Sequence, residues 1–171
     1  MKSKIPVLLK KAPYIVAMAI ILLFANILVF GSAENPINEK ISFELTDIDG
    51  AIWKSEDLEG SIIVFNFWFS ACPPCKKEIP ELNKLVEEYK NQNIVFIGVS
   101  LDSQDSVEDF TYMHTFNYKL IPDGDGFIDE NHVSSFPTHF IIDKDGILVK
   151  RIIGGVTFKE MKEQLDTLLD L

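Results

Sequence analysis

The sequence predicts an α/β fold in which helices flank a central mixed β-sheet, with a β-hairpin added on the N-terminal side. From residue 61 onward, apolar runs of strand length alternate with amphipathic stretches of helical spacing. An unbroken apolar run is typical of a strand that is covered on both faces. Residues 34–171 are also numerous enough to build one core of ordinary domain size.

The first elements form a hairpin and a β–α–β unit. Ile41–Leu45 alternates with period two, and the turn Asp49-Gly50 joins it to a second short strand, which predicts the hairpin. Residues 61–67 predict a buried strand, an amphipathic helix follows, and residues 94–99 predict the next strand. The segment between the first of these strands and its helix therefore lies at a carboxyl end of the sheet, where α/β proteins place their functional groups.

The remaining elements continue this alternation and complete the sheet. They are, in order, a helix at 104–114, a strand at 118–121, a hairpin of strands 139–142 and 147–152, and a terminal helix at 157–169.

The N-terminal segment predicts a membrane location. Residues 12–33 carry no charge and follow four lysines, Lys2, Lys4, Lys10 and Lys11. About 20 apolar residues can span a bilayer, and lysines on the N-terminal side predict that this end stays in the cytoplasm. We therefore expect a basic cytoplasmic N-terminus at 1–11, a transmembrane anchor or signal peptide at 12–33, and an extracytoplasmic domain at 34–171. The length of the run favours a retained anchor in the cytoplasmic membrane, whereas the small residues 31–33 would suit cleavage and release to the periplasm.

The charge of the predicted exported part limits its partners. After position 33 the chain has 26 acidic and 12 basic residues, a formal charge of −14. Such a surface repels nucleic acid and bare anionic lipid. No nucleic-acid partner is expected, and a solvated surface explains the charge more simply than selection of a basic partner.

Cys72 and Cys75 are the only cysteines in the chain, and they lie between the first buried strand and its helix. Two thiols separated by two residues at a helix start can close a small disulfide, and the free N–H groups there favour the thiolate of the first. A structural staple is a weaker interpretation, because so short a loop removes little entropy from the unfolded chain. The pattern therefore favours a redox pair that exchanges disulfides.

Metal sites and cofactors are not expected. A structural zinc site needs four ligands, and the chain offers two cysteines and three widely spaced histidines. A structural or surface role is favoured for His114, His132 and His139. The run Asp123–Gly126 lacks the full ligand spacing of a calcium loop and is predicted to be a turn.

A set of motifs in combination resembles the thioredoxin fold, and more narrowly the membrane-tethered TlpA/ResA-like thiol–disulfide oxidoreductases of bacteria. The resemblance covers roughly residues 37–171. The motifs are the run Trp68-x3-Cys72-Pro73-Pro74-Cys75, the following helix with Pro80, the loop Phe136-Pro137-Thr138, and the closing hairpin and helix.

The resemblance implies roles for five residues. Cys72 attacks the disulfide of a partner protein, and Cys75 resolves the mixed disulfide that forms. Pro137 falls where this fold has a cis proline beside the disulfide, and the backbone of Phe136 then faces an incoming client. Trp68 is expected to pack beside the disulfide, to shield it and to take part in binding the client.

Asn66 and Glu78 depart together from ordinary thioredoxins. The resemblance suggests that ordinary thioredoxins carry a buried aspartate at the position of Asn66, where it handles the proton of the second cysteine, and an amide cannot do this. Glu78 lies three residues beyond Cys75, on the same helix face, where a carboxylate could accept that proton. From spacing alone, a carboxylate that complements the helix N-terminus is an equal alternative. The TlpA/ResA-like resemblance extends to this glutamate.

The two prolines between the cysteines predict the direction of electron transfer. Pro73 and Pro74 have no backbone N–H, so two donors that might stabilise a Cys72 thiolate are missing. A stabilised thiolate makes a dithiol oxidising. The pair is therefore predicted to be a reductant.

The sequence thus predicts an extracytoplasmic thiol–disulfide oxidoreductase that reduces disulfides of exported proteins without a cofactor. By resemblance, clients include apocytochrome c, and electrons arrive from a membrane thiol carrier. Three alternatives stay open: a copper-handling protein that binds Cu(I) through both thiolates and His139, a binding module with a stapling disulfide, and a thioredoxin-fold peroxidase. The peroxidase is disfavoured because, by resemblance, its reactive cysteine lies in a different motif.

Overall fold

The computed structural model describes residues 38–169, which form a six-stranded mixed sheet, a separate two-stranded hairpin and flanking helices. The predicted basic segment 1–11 and the predicted anchor 12–33 lie outside the described residues. Within residues 38–169, no helix combines the length and apolar character needed to cross a membrane.

Residues 38–169 contain eight strands, four α-helices and a short 3-10 helix, Ser55–Leu58, which follows the third strand. The strands are β1 (Glu39–Lys40), β2 (Glu44–Thr46), β3 (Ile52–Lys54), β4 (Ile62–Trp68), β5 (Ile94–Ser100), β6 (Lys119–Ile121), β7 (Thr138–Ile142) and β8 (Ile147–Ile153). The helices are α1 (Pro73–Glu88), α2 (Gln104–Thr111), α3 (Asp125–Glu130) and α4 (Phe158–Leu169).

The large sheet has the strand order β1-β8-β7-β4-β5-β6, and β2 pairs with β3 apart from it. Strand β4 lies between β5, which runs parallel to it, and β7, which runs antiparallel. Every residue of β4 is buried. The register sets Asn66 of β4 between Gly98 of β5 and His139 of β7, a row that proves central to the site.

The core has a layer on each side of this sheet because successive β4 side chains point to opposite faces. Phe65 and Phe67 pack with Phe127 of α3 and with Phe43 beside the hairpin. On the other face, Ile62 and Val64 pack with apolar side chains of α1 and α4, namely Leu82, Leu85, Met161 and Leu165. Each such buried side chain contributes about 1.5–3 kcal/mol of transfer free energy, so the two layers hold β4 firmly in place.

The predicted α/β class, the mixed sheet and the added N-terminal hairpin are confirmed. The first hairpin strand is Glu44–Thr46 rather than Ile41–Leu45, and the preceding Glu39–Lys40 pairs with β8 as a strand that was not predicted. Ile41 and Phe43 are buried in the core. The alternation of apolar and polar residues at 41–45 therefore reflects alternating burial of the side chains and not the pairing of a strand.

Helix α3 was also not predicted, since residues 123–126 had suggested a turn. A helix of six residues is too short to display a hydrophobic period, so its two buried residues, Phe127 and Ile128, carry its only signal. Upstream of it, Asp123 adopts a left-handed backbone conformation with φ of 50°. A turn is therefore present, and it leads directly into a helix.

Candidate active site

The two cysteines form a disulfide at the carboxyl edge of the sheet. Strand β4 ends at Trp68, and four residues later Cys72 caps the N-terminus of α1. The two sulfur atoms are 2.01 Å apart and the Cα atoms 5.3 Å apart. Cys72 is 3% exposed and Cys75 is 1% exposed. The sheet edge and the helix start thus bring the pair together as the sequence predicted.

Backbone donors around Cys72 are few. The N–H of Cys75 donates to Cys72 Sγ at 3.3 Å, and it is the single hydrogen-bond donor to this sulfur within residues 38–169. Pro73 and Pro74 occupy the first helical positions and have no N–H to offer. A thiolate on Cys72 would therefore receive less backbone stabilisation than a helix N-terminus without prolines provides.

The loop that leads to Cys72 is held by Asp102, a residue that the sequence analysis missed. Asp102 follows β5, at the same edge of the sheet, and its Oδ2 accepts the backbone N–H of Ser70 at 2.5 Å. The hydroxyl of Ser100 donates to the same oxygen at 3.2 Å. This carboxylate therefore ties the end of β5 to the approach to the cysteines.

The loop before β7 carries the third part of the site. The Phe136–Pro137 peptide bond is cis, the geometry that the resemblance implied. The carbonyl of Pro137 accepts the N–H of Gly154 at 2.8 Å, which joins this loop to the end of β8. The ring of half-buried Phe136 meets that of Phe69 edge-on, with centroids 5.4 Å apart. The roles of Phe136 and Pro137 in holding a client stay predictions.

Trp68 packs in one apolar cluster with Cys72 and Cys75, under rings from α2 and the following loop. Its side chain is 1% exposed. Its role in client binding stays a prediction, and with so little exposure it would act by supporting the disulfide rather than by touching a client.

Glu78 lies buried on α1, one turn beyond Cys75, and is 3% exposed. Its Oε1 accepts from Asn66 Nδ2 at 2.8 Å. Its Oε2 accepts the backbone N–H of Val156 at 3.3 Å and lies 3.1 Å from Nε2 of His139. These partners come from β4, from β7 and from the segment before α4. The carboxylate therefore faces the sheet rather than the free N–H groups of its own helix.

His139 belongs to this buried polar group, and Tyr118 lies near it, although its hydroxyl has no hydrogen-bond partner among residues 38–169. The sequence analysis assigned neither residue to the site. Burial raises the pKa of Tyr118 well above its usual range, and the charge of Glu78 raises it further, so the phenol stays protonated. A histidine at the start of the fully buried strand β7 was the available signal, because a buried imidazole needs a polar partner.

Gly98 lets the rings around this group approach the sheet. A Cβ atom built on Gly98 would lie 3.0 Å from the ring of Tyr118 and 3.1 Å from Nε1 of Trp68. Both contacts are tighter than most Cβ contacts, so any larger residue would make the two rings shift, and glycine lets them lie close against β5. Gly98 lies opposite Asn66 in the sheet, which places these rings beside the Glu78 network.

Metal ligation has little support in the part of the chain that the structure describes. Residues 38–169 contain no group of three or more histidine, cysteine, aspartate or glutamate side chains arranged to hold a metal ion. His139, the ligand suggested for Cu(I), directs Nε2 at Glu78. The arrangement instead combines a disulfide with a buried carboxylate on the same helix, which suits proton-coupled thiol exchange.

Comparisons with known proteins agree with this geometry. The sequence profile of the AhpC/TSA family matches residues 37–151. The thiol–disulfide oxidoreductase ResA of Bacillus thuringiensis (strain Al Hakam) is 36% identical over 130 residues, which cover 75% of this chain and 73% of ResA.

Two solved structures share the fold. StoA from Bacillus subtilis superposes with a TM-score of 0.65 at 27% identity, covering 75% of this chain and 98% of StoA. The exposed lipoprotein thioredoxin Etrx1 from Streptococcus pneumoniae strain TIGR4 superposes with a TM-score of 0.67 at 25% identity. The match covers 75% of this chain and 100% of Etrx1.

Proposed function

The chain belongs to the AhpC/TSA family and is a thiol–disulfide oxidoreductase of the ResA type, and from this premise we propose that it reduces disulfides of exported proteins. The observation that carries the direction is that a single N–H among residues 38–169, that of Cys75, donates to Cys72 Sγ. Because a weakly stabilised thiolate is a better donor of electrons than a strongly stabilised one, the reduced pair passes its electrons on readily.

The proposed reaction uses the two cysteines in sequence. The Cys72 thiolate attacks a sulfur of the client disulfide, a Cys72–client disulfide forms, and one client thiolate leaves. Cys75 then loses its proton to Glu78 and attacks Cys72 Sγ, which closes the Cys72–Cys75 bond and releases the second client thiolate. Phe136 and Pro137 hold the client backbone beside the pair. The client is reduced and the enzyme is oxidised by the same two electrons.

The proposed location is the outer side of the cytoplasmic membrane, with residues 12–33 as the anchor and 34–171 as the catalytic domain. The lysines before the apolar run support this orientation, and the relative from Streptococcus pneumoniae is described as exposed. A membrane thiol carrier then returns electrons to Cys72 and Cys75. Apocytochrome c, whose thiols must be reduced before haem attachment, is the proposed client.

Trapping tests the proposed reaction. We expect Cys75→Ser to accumulate mixed disulfides through Cys72, because the resolving thiol is gone and the first step still proceeds. The complexes are counted on non-reducing gels and their clients identified by mass spectrometry. A reductase captures clients that enter the reaction oxidised.

Cys72→Ser is the matched control, since it keeps one thiol and removes the attacking one. It should form few complexes. Equal trapping by both variants would contradict the proposed reaction.

A further inference from the structure

The buried contact between Glu78 and His139 is not explained by thiol exchange alone. His139 is 0% exposed, and its Nε2 lies 3.1 Å from Glu78 Oε2 although 61 residues separate the two in sequence. The register of β7 on β4 sets His139 opposite Asn66, the other side-chain partner of Glu78. Both partners therefore reach the carboxylate from adjacent strands of a rigid sheet.

The hydrogen bonds indicate which protons are present. His139 Nδ1 is buried and has no hydrogen-bond partner among residues 38–169. An imidazolium would bury an unpaired Nδ1–H, which is costly. A neutral ring with its proton on Nε2 donates to Glu78 and leaves only an unpaired acceptor. We therefore assign His139 as a neutral imidazole whose Nε2–H donates to Glu78.

Three N–H groups then point at Glu78, from Asn66, Val156 and His139. Each one stabilises the carboxylate over the carboxylic acid, because hydrogen bonds to a charged form favour that form. The backbone N–H of Val156 is fixed and the amide of Asn66 is neutral at every accessible pH. Of the three donors, His139 alone could lose its donor function, because its Nε2 can carry either a proton or a lone pair.

We infer that His139 is a positioning residue, whose Nε2–H orients the Glu78 carboxylate and stabilises it in the form that accepts the proton of Cys75. This inference rests on the proposed role of Glu78 in resolving the mixed disulfide. In that step the Cys75 S–H bond breaks and a Glu78 O–H bond forms. The Cys75 thiolate attacks Cys72 Sγ, and the client thiolate leaves.

The other groups that face the carboxylate are few. They are Asn66 from β4, Tyr118 from the segment before β6 and the Val156 N–H from the segment before α4, and Cys75 lies one turn before Glu78 on α1. Within residues 38–169, His139 is the one other titratable side chain that hydrogen-bonds to Glu78.

The test uses the full-length protein in detergent. The reduced protein is mixed with an aryl disulfide whose thiol is coloured. The first equivalent of thiol is released when Cys72 attacks, and the second when Cys75 resolves the mixed disulfide. The rate of the second release is followed from pH 4 to pH 9 by stopped flow. In the unmodified protein we expect an acid limb, where the rate falls as Glu78 becomes protonated.

Three substitutions of His139 separate donation from packing. His139→Leu and His139→Asn both withdraw the donor from Oε2, and we expect the acid limb to move to higher pH by about one unit, roughly tenfold slower within the limb. His139→Gln keeps an N–H near the position of Nε2 and should stay within about twofold of the unmodified rate. If the leucine variant does not fold, the asparagine variant carries the test.

Two further variants establish the route of the effect. Glu78→Gln should remove the acid limb, and Glu78→Gln with His139→Leu should match Glu78→Gln alone, because His139 acts through Glu78. Ile141→Val is the packing control. Ile141 lies two residues along β7, is fully buried on the same face and packs in the α1 and α4 layer, so this variant should lower the unfolding temperature without moving the limb.

The outcomes distinguish the two proposals. If Glu78→Gln removes the limb while the leucine and asparagine variants leave it in place, His139 has no positioning role and this inference is wrong. A shift that persists in the Glu78→Gln background also overturns it. If Glu78→Gln itself leaves the profile unchanged, the proposed role of Glu78 fails, and the positioning role of His139 fails with it.

Discussion

At the scale of single residues, the site depends on one buried carboxylate whose partners are matched to its charge. Glu78 is stable away from water because N–H groups surround it. Asn66 is suited to this position because its amide donates a hydrogen bond without adding charge. The replacement of the aspartate of ordinary thioredoxins by an amide is therefore coupled to the presence of Glu78.

Asn66→Asp tests this coupling. A second carboxylate would lie near 2.8 Å from Glu78 Oε1, the distance of the present amide nitrogen, and we expect a loss of about 3 kcal/mol in the free energy of unfolding at neutral pH. The folded variant would share a proton between the two carboxyls that the unfolded chain releases, so stability should fall as the pH rises. Urea unfolding at pH 5 and pH 8 measures this.

Asn66→Ala is the reference, since it removes the donor and adds no charge. We expect a weaker dependence on pH for this variant. Equal dependence in both variants would contradict the coupling.

At the scale of elements, the added hairpin is ordered by Asp47, which is buried at its turn. Its Oδ1 accepts the N–H groups of Asp49 and Ala51, and its Oδ2 accepts Nε1 of Trp53. Burial by itself would raise the pKa of Asp47, but these hydrogen bonds and the charge of Lys119 outweigh burial and lower it. The hairpin therefore depends on an ionised side chain.

Asp47→Asn should destabilise the domain by about 2 kcal/mol at neutral pH, because a hydrogen bond to a charged acceptor is lost at Trp53. Since the folded pKa of Asp47 is lowered, its contribution is complete above the usual aspartate range near about 4 and is lost as the pH falls through the lower folded value. The difference in stability between Asp47→Asn and the unmodified protein should therefore become smaller as the pH falls. Thermal unfolding between pH 2.5 and pH 7 measures it.

Asp49→Asn is the matched control on the same turn, because the Asp49 side chain is 73% exposed. It should change stability by less than about 0.5 kcal/mol at every pH. A difference between Asp47→Asn and the unmodified protein that does not vary with pH would contradict the role of the ionised side chain.

At the scale of the whole molecule, redox state and stability are linked. The fold contributes one backbone donor to Cys72 Sγ, whereas a strongly oxidising dithiol requires a fold that stabilises the reduced form. Because the fold stabilises the Cys72 thiolate only weakly, the reduced protein gains little stability from it. The oxidised protein is therefore expected to be at least as stable as the reduced protein.

We therefore expect a reduction potential closer to the value of about −270 mV for thioredoxin than to about −120 mV for the strongest dithiol oxidants. By the same linkage, reduction should leave the unfolding temperature unchanged or lower it. Equilibration with glutathione or dithiothreitol buffers gives the potential, and calorimetry on both redox states gives the temperatures. A potential near that of the strong oxidants, with a reduced form that unfolds later, would contradict the proposed reductase.

Local patterns were enough to predict the class of fold and the redox pair. The buried strand β4, the helix α1 and the spacing of Cys72 and Cys75 all follow from residues close together in the chain, since period and spacing are local properties. Elements with a short or mixed sequence signal were predicted less well. The first strand of the hairpin was predicted to start too early, and β1 and α3 were not predicted.

The surroundings of Glu78 follow from the assembled sheet. His139 lies 61 residues from Glu78 and Val156 lies 78 residues from it, and strand register together with the packing of α1 on the sheet brings them to one carboxylate. Asp102 reaches Ser70 across 32 residues in the same way. Residue spacing along the chain specifies which thiols can pair, while long-range strand pairing specifies which groups surround the buried carboxylate.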